Sequence, residues 1–127
     1  MRLTLAVHAQ LYTIHSFSPD TEIPASIFSQ PMFFIGKTRE ELSVVVPSDL
    51  ALESLEQEDD WRCLEILGPL GFSMTGILSR ISTTLAEANI SIFAISTFDT
   101  DYILVKKDTL EAAKAALKQK QYQVIDY

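Results

Sequence analysis

The chain lacks the features that mark several large classes of protein. Its 127 residues include one cysteine, Cys63, so no disulfide forms within the chain and a cytosolic location is expected. No apolar run reaches the roughly 18 residues of a membrane-spanning helix. The N-terminal segment has no small-residue cleavage site, so a signal peptide is not expected. The four glycines fit neither a phosphate loop nor a dinucleotide-binding fingerprint.

Positive charge is also scarce, and the deficit is confined to one half. The formal net charge is −7; residues 1–60 hold three Lys/Arg against ten Asp/Glu, and residues 61–127 hold seven of each. Binding to phosphate backbones or anionic lipid requires clustered Lys and Arg. Nucleic acid and membrane surfaces are therefore not expected partners, whereas a cationic or zwitterionic small ligand remains open.

No set of residues suggests catalysis. His8 and His15 fall in strand-like patterns, and we expect both on a half-buried sheet face. Cys63 also alternates into a strand and is expected in the core, and no base can be assigned to activate it as a nucleophile. Nearby residues lack metal-ligand spacing. We therefore predict no catalytic residue, no metal, no cofactor and no enzymatic activity.

The second half has a clear secondary-structure pattern. Strands are predicted from period-two alternation and helices from apolar residues three and four apart. The predicted elements are a strand at Trp61–Leu67, a helix at 73–88 with Ser73 or Thr75 as its cap, strands at Ser91–Phe98 and Asp101–Lys106, a helix at 109–120 with Asp108 and Glu111 at capping-box spacing, and a strand from Tyr122. The order βαββαβ predicts an α+β, ferredoxin-like unit with two helices on one face of a four-stranded antiparallel sheet.

The first half repeats this pattern in degraded form. A slide of 60 residues places Glu41 on Asp101 and Leu50 on Leu110, and predicts strands near 3–8, 32–37 and 41–47. Leu11–Phe17 is interpreted as an extra strand where the long helix should begin, followed by a short helix near 24–29. The acidic stretch 53–60 is interpreted as a linker. We therefore predict a degenerate unit at 1–57 and a complete unit at 58–127.

The stretch LGPLGFSMTGILSRISTTLAEANISIFAISTFDTDYILV resembles the ACT domain family, in particular small bacterial tandem-ACT proteins and the ACT pairs of cytosolic arginine sensors. The match covers about residues 61–124, and the first half joins it through Glu41–Pro47. The resemblance implies tandem ACT units that form a non-enzymatic regulatory module. Such a module binds a free amino acid at an interface between ACT units. The partners implied are a second copy of the chain, in a homodimer, and a regulated protein.

The resemblance also implies a ligand site in the loop before the first helix and at the end of the next strand. Carried onto this chain, the residues are Gly71, Phe72, Ser73, Met74, Thr75, Thr97, Phe98 and Asp101. A helix N-terminus offers N–H donors to the carboxylate of an amino acid. Asp101 would bind its ammonium, and Asp99 is expected to be a solvated turn residue. The competing interpretation is that Asp101 is a turn residue as well.

The first unit has no glycine-containing loop at the place that matches. Residues 8–11 stand there in the alignment of the two halves, so no symmetric second site is expected. The alternative function left open is a structural ACT module that mediates oligomerisation without a ligand. Dimerisation without any response to amino acids would favour that alternative.

Overall fold

A computed structural model of the protein describes residues 3–68 and 76–127. The elements, in chain order, are strand β1 (Thr4–Phe17), a 3-10 helix (Ala25–Ser29), strands β2 (Phe34–Lys37), β3 (Leu42–Pro47) and β4 (Glu56–Gly68), helix α1 (Ile77–Glu87), strands β5 (Ile92–Ser96) and β6 (Asp101–Lys106), a 3-10 helix (Lys107–Thr109), helix α2 (Leu110–Gln119) and strand β7 (Gln123–Asp126). Among these residues the predicted order of strands and helices is confirmed from the first 3-10 helix onward, whereas β1 joins two strands that the sequence predicts separately.

The chain forms two compact units. One contains the described chain up to Ala9 together with the described part of Arg62–Tyr127, and we call it the two-helix unit. The other, Gln10–Trp61, contains a 3-10 helix as its one described helix, and we call it the helix-poor unit. Strands β1 and β4 each contribute to both units. The predicted boundary between residues 57 and 58 divides the chain by repeat rather than by packing, and it stays a prediction.

The sheet of the two-helix unit is built around an antiparallel hairpin. Strands β5 and β6 pair from Ile92–Val105 to Ser96–Asp101, β6 lies beside β4, and β4 lies beside β1. Strand β7 pairs in parallel with the first residues of β1. The expected four-stranded sheet therefore has one strand more, because the N-terminal residues enter it. Alternation within 3–8 predicts a strand but carries no information about its partner.

Both α-helices pack on one face of that sheet, as predicted. The buried residues of this core are Leu3, Leu5, Val7, Leu64, Ile66, Ile77, Ile81, Leu85, Ile90, Ile103, Val105, Leu110, Ala113 and Leu117. Each large aliphatic side chain in the set stabilises the fold by about 1.5–3 kcal/mol. The predicted stripe of α1 is confirmed at Ile77, Ile81 and Leu85, whereas Ala88 is exposed at the helix end. Asn89 ends the helix with a left-handed φ of 61°, as its residue type favours.

The helix-poor unit has the strand order β2-β3-β1-β4. This order corresponds to β5-β6-β4-β1 in the two-helix unit. Its core consists of Phe17, Ile27, Leu42, Val44 and Val46. The prediction of a strand at Leu11–Phe17 is confirmed, but this strand is not an additional one. Those residues continue β1 without a break from 3–8, and they form the first strand of this repeat.

The register of the repeat also differs from the prediction. Strands β2 and β3 pair with Phe34 opposite Val45, and β5 and β6 pair with Ile92 opposite Val105. The residue numbers of each pair add up to 79 in the first hairpin and to 197 in the second. Half of the difference between these sums is 59, so equivalent residues of the two hairpins are 59 positions apart. The slide of 60 is one residue out. Leu42, not Glu41, occupies the position of Asp101.

Two smaller predictions are wrong. The stretch 53–60 is not a linker throughout, because β4 begins at Glu56. The spacing of Asp108 and Glu111 does not make a capping box: Asp108 lies in the 3-10 helix before α2, and Thr109 at the N-cap makes no side-chain cap hydrogen bond. The hydroxyl of Thr109 donates instead to the carbonyl of Lys106 at 2.9 Å.

Candidate functional site

The β5–β6 turn carries the predicted site residues that the structure describes. Thr97 closes the turn: its N–H and its hydroxyl donate to the carbonyl of Thr100 at 2.8 and 3.1 Å. The hydroxyl of Thr97 also accepts from the N–H of Thr100 at 3.3 Å. Phe98 lies at the tip with its ring fully exposed. The turn is thus held by its own polar groups, and it presents an aromatic ring to whatever approaches it.

Asp101 begins β6 on the side of the sheet that the helices cover. Side chains alternate along a strand, so Asp101 shares a face with Ile103 and Val105, and both of these are core residues beneath the helices. Asp101 is partly buried, whereas Asp99 is exposed. The turn therefore separates a solvated carboxylate from one that faces the helix layer.

Helix α1 begins beside the remaining predicted residues. Gly76 is its N-cap, with φ at 81° and no side-chain cap hydrogen bond. A Cβ at this glycine would lie 3.1 Å from Nη1 of Arg80, so a larger residue would meet both backbone strain and a crowded side chain. The predicted residues Gly71, Phe72, Ser73, Met74 and Thr75 lie outside the described residues, as do the two proposed cap residues among them.

The topology brings the start of α1 and the β5–β6 turn to the same edge of the two-helix unit. Strand β4 ends at this edge, α1 returns along the sheet over its 11 residues, and β5 runs back toward the edge where α1 began. The first-turn N–H groups of a helix have no partner within the helix. This edge therefore combines backbone donors from α1 with the carboxylate of Asp101, which are complementary to the two charges of an amino acid.

The helix-poor unit lacks this arrangement. Its hairpin turn has the same backbone design, with the N–H of Thr38 donating to the carbonyl of Glu41 at 2.9 Å. At the position of Asp101, however, it has Leu42, which is 1% exposed and packed in the core. The residues that follow its first strand are 18–24 rather than the predicted 8–11, and these also contain no glycine.

A polar cluster in the helix-poor unit was not predicted from the sequence. Thr13 and His15 are both buried on the inward side of β1, at positions where the two-helix unit has apolar side chains. Burial lowers the pKa of His15, and the charge of Asp59 partly opposes that shift. Two polar residues at inward positions of an alternating strand, beside apolar Phe17, are the signal that identifies the cluster.

The remaining reactive side chains lie on the strands of the two-helix unit. Burial, together with the charge of Glu65, raises the pKa of Cys63 to about 12, so its thiol stays protonated near neutral pH, as predicted for a core residue. His8 Nε2 lies 3.0 Å from Oε1 of Glu65, and its ring contacts that of Tyr127. Within residues 3–68 and 76–127, no cluster of His, Cys, Asp and Glu has the composition of a metal site.

The described residues also contain no helix with the length and apolar character needed to cross a bilayer.

Comparison with known proteins identifies the class. The ACT domain family model matches residues 56–119, which is half of the chain, and the chain belongs to this family. The human protein named cytosolic arginine sensor for mTORC1 subunit 1 is 43% identical over 76 residues, which are 59% of this chain and 23% of that protein. Its mouse counterpart is 38% identical over 103 residues, 80% of this chain and 31% of that protein. The chain therefore spans about a quarter to a third of these relatives.

Solved structures agree with the predicted α+β fold of tandem ferredoxin-like ACT units with a degraded first unit. A protein of Agrobacterium tumefaciens is 29% identical with a TM-score of 0.91, covering 100% of this chain and 95% of that one. The ligand-free regulatory subunit of aspartate kinase from Thermus thermophilus has a TM-score of 0.65 at 19% identity, covering 91% and 95%. This second likeness concerns the fold alone.

Proposed function

We propose that this chain is a non-enzymatic regulatory module that binds a free amino acid at an interface between ACT units. The observation that carries the proposal is Asp101. It is a partly buried carboxylate on the helix-facing side of β6, at the edge where α1 begins, and a buried leucine replaces it in the repeated unit. The arginine sensor to which the chain is similar supports a small-molecule ligand of this class.

In this proposal the ligand's carboxylate binds backbone N–H groups at the start of α1 and in the loop Gly71–Thr75. Its ammonium binds Asp101, with the backbone carbonyls of Thr97 and Phe98 completing the contacts. Phe98 supplies an apolar ring at the rim of the site. The second surface of the interface comes from another ACT unit, and in a homodimer it comes from a second copy of the chain.

The test is calorimetric titration of the twenty amino acids into the wild type, Asp101→Ala and Asp99→Ala. The two variants each remove one carboxylate from the same turn, so they are matched in net charge. We expect one or two amino acids to bind the wild type and Asp99→Ala equally, with at least about tenfold loss in Asp101→Ala, the loss of one charge-assisted contact. Equal affinity in all three proteins would remove Asp101 from the site.

A second function, assembly without a ligand, is favoured by the exposure of Phe98. A fully exposed aromatic ring at a turn held by its own hydrogen bonds is a ready contact for another protein surface. This function predicts a stable dimer that Phe98→Ala dissociates and that no amino acid affects. Sedimentation of both proteins with and without the amino acids distinguishes the two functions.

A further inference from the structure

A second cleft, in the helix-poor unit, has the character of a binding site. It has a volume of about 370 Å³, within the usual range for small-molecule sites. The residues that line it are Thr13, His15, Ser48, Leu50, Ala51, Leu52, Gln57, Asp59 and Asp60. In the two-helix unit the hairpin β5–β6 is followed by α2, whereas here the chain between β3 and β4 has no described helix.

A directed chain of hydrogen bonds leads to one carboxylate. The hydroxyls of Thr13 and Ser48 lie 2.8 Å apart, and the Thr13 hydroxyl donates to Oδ1 of Asp59 at 3.2 Å. The side-chain amide of Gln57 donates to the same oxygen at 2.8 Å. Since Thr13 donates to Asp59, its contact with Ser48 is one that it accepts. Two side-chain donors therefore converge on one carboxylate oxygen at the wall of the cleft.

A histidine that lines this cleft has a buried nitrogen with no hydrogen-bond partner among the described residues. His15 is 2% exposed; its Nδ1 lies 2.8 Å from the hydroxyl of Ser54, and its Nε2 has no partner in residues 3–68 and 76–127. A buried polar atom without a hydrogen-bond partner destabilises the fold, so a ligand that supplies the missing hydrogen bond gains free energy on binding. In the tautomer that donates Nδ1–H to Ser54, Nε2 is an acceptor.

The two consecutive acids reach the same cleft through a local break in β4. Neighbouring residues of a regular strand point to opposite faces, yet Asp59 and Asp60 both line this cleft. Asp60 has a left-handed φ of 68°, which interrupts the alternation. No Lys or Arg is among the described lining residues, so the cleft offers acceptors and negative charge without a partner for an anion.

We propose that this cleft binds a small alkyl amine or guanidine that carries no carboxylate. Its cationic N–H group lies against Asp59 and donates to Nε2 of His15, and its alkyl chain contacts Leu50 and Leu52. A free amino acid is disfavoured here because its carboxylate would meet Asp59 and Asp60. The ligand class therefore differs from that proposed for the β5–β6 edge, and the two proposals are independent.

Two matched pairs of probes test the ligand class. Agmatine and putrescine are the decarboxylated forms of arginine and ornithine, so each pair differs by one carboxylate. Followed by NMR shifts of the amides of Thr13 and Gln57, agmatine or putrescine should saturate these shifts at least about tenfold more tightly than its amino-acid counterpart. Absence of saturation by both amines, or equal affinity within each pair, would overturn the proposal.

Asp59→Asn should weaken amine binding about tenfold or more, since it removes the charge but keeps an acceptor. Asp20→Asn is the matched control, because it removes an exposed acid of the same unit and should leave binding unchanged. Ala51→Trp places a large side chain on an exposed rim residue and should block binding even if Asp59→Asn fails to fold. Amine binding that survives both Ala51→Trp and Asp59→Asn would refute the site. Asp101→Ala should leave amine binding intact.

Discussion

The two units share a strand order but close their sheets in different ways. In the two-helix unit, α1 and α2 cover a sheet face whose first strand contributes the apolar residues Leu64 and Ile66. In the helix-poor unit the first strand contributes Thr13 and His15 at inward positions, beneath a segment without a described helix. Where the helix is absent, polar residues lie beneath the segment that takes its place. Apolar strand residues at these positions, without a helix to cover them, would form an apolar face exposed to water.

The greatest change in stability is expected from substitutions that exchange the residues at the equivalent positions 42 and 101. Leu42→Asp places a carboxylate in a fully buried position and should lower the free energy of unfolding by about 4 kcal/mol or more. Asp101→Leu, at the equivalent position, should change it by about 0.5 kcal/mol or less. Urea denaturation measures both. Similar effects of the two substitutions would contradict the difference in burial between Leu42 and Asp101.

The next effect tests how the two units are closed. Leu85→Ala removes a fully buried side chain of α1 and should cost about 2–5 kcal/mol. Leu52→Ala removes a partly buried one beside the helix-poor core and should cost less, about 1 kcal/mol. The same denaturation series compares them. An equal or larger loss of unfolding free energy in Leu52→Ala would contradict the expectation that packing of the helices on the sheet stabilises the protein more than the segment over the helix-poor core does.

A smaller effect concerns pH. The pKa of His15 is lower in the folded protein than in the unfolded chain, so the unfolded state binds more protons as pH falls below the ordinary histidine pKa. The free energy of unfolding should therefore decrease as pH falls from about 6.5. Asp59 and Asp60 line the same cleft as His15. His15→Leu should reduce the slope just below pH 6.5 by one proton or less; an unchanged slope would exclude His15 as its source.

The smallest effect concerns Cys63. Since its thiol is buried and its pKa is raised to about 12, alkylating reagents should leave the native protein unmodified near neutral pH. Mass spectrometry after exposure to iodoacetamide, with and without urea, measures this. Rapid modification without urea would mean that the sheet around Cys63 opens readily, which would contradict a stably packed core in the two-helix unit.

Much of the fold follows from periodicity. The bounds of β6 match the prediction residue for residue, and α2 differs by one residue at each end, because apolar spacing and short turns determine both locally. The partner of β7 could not be predicted in this way, since parallel pairing with β1 depends on contacts about 120 residues apart. The predicted offset between the two repeats is one residue too large because both strands are apolar throughout, so their sequences align almost equally well after a shift of one residue. Such a shift moves every side chain of the strand to the opposite face of the sheet.

The candidate sites divide similarly. Asp101 was identified through its place after an apolar strand and the family resemblance, and its helix-facing side then follows from alternation along β6. The sequence predicts that Thr13 and His15 lie in a strand, but their burial depends on the segment of chain that packs over that strand. The acids at 59 and 60 resembled a solvated linker, because the break at Asp60 that brings both to one cleft is a backbone conformation that composition does not reveal.

The central claim is that the β5–β6 edge of the two-helix unit holds an amino acid while the equivalent edge of the helix-poor unit does not. Residue-resolved NMR of the wild type, titrated with the amino acid that binds, tests this directly. The account predicts saturable amide shifts at Thr97, Asp101 and Ile77, and none at Thr38 or Leu42. Equal shifts at both turns, or shifts at Thr38 and Leu42 alone, would contradict it.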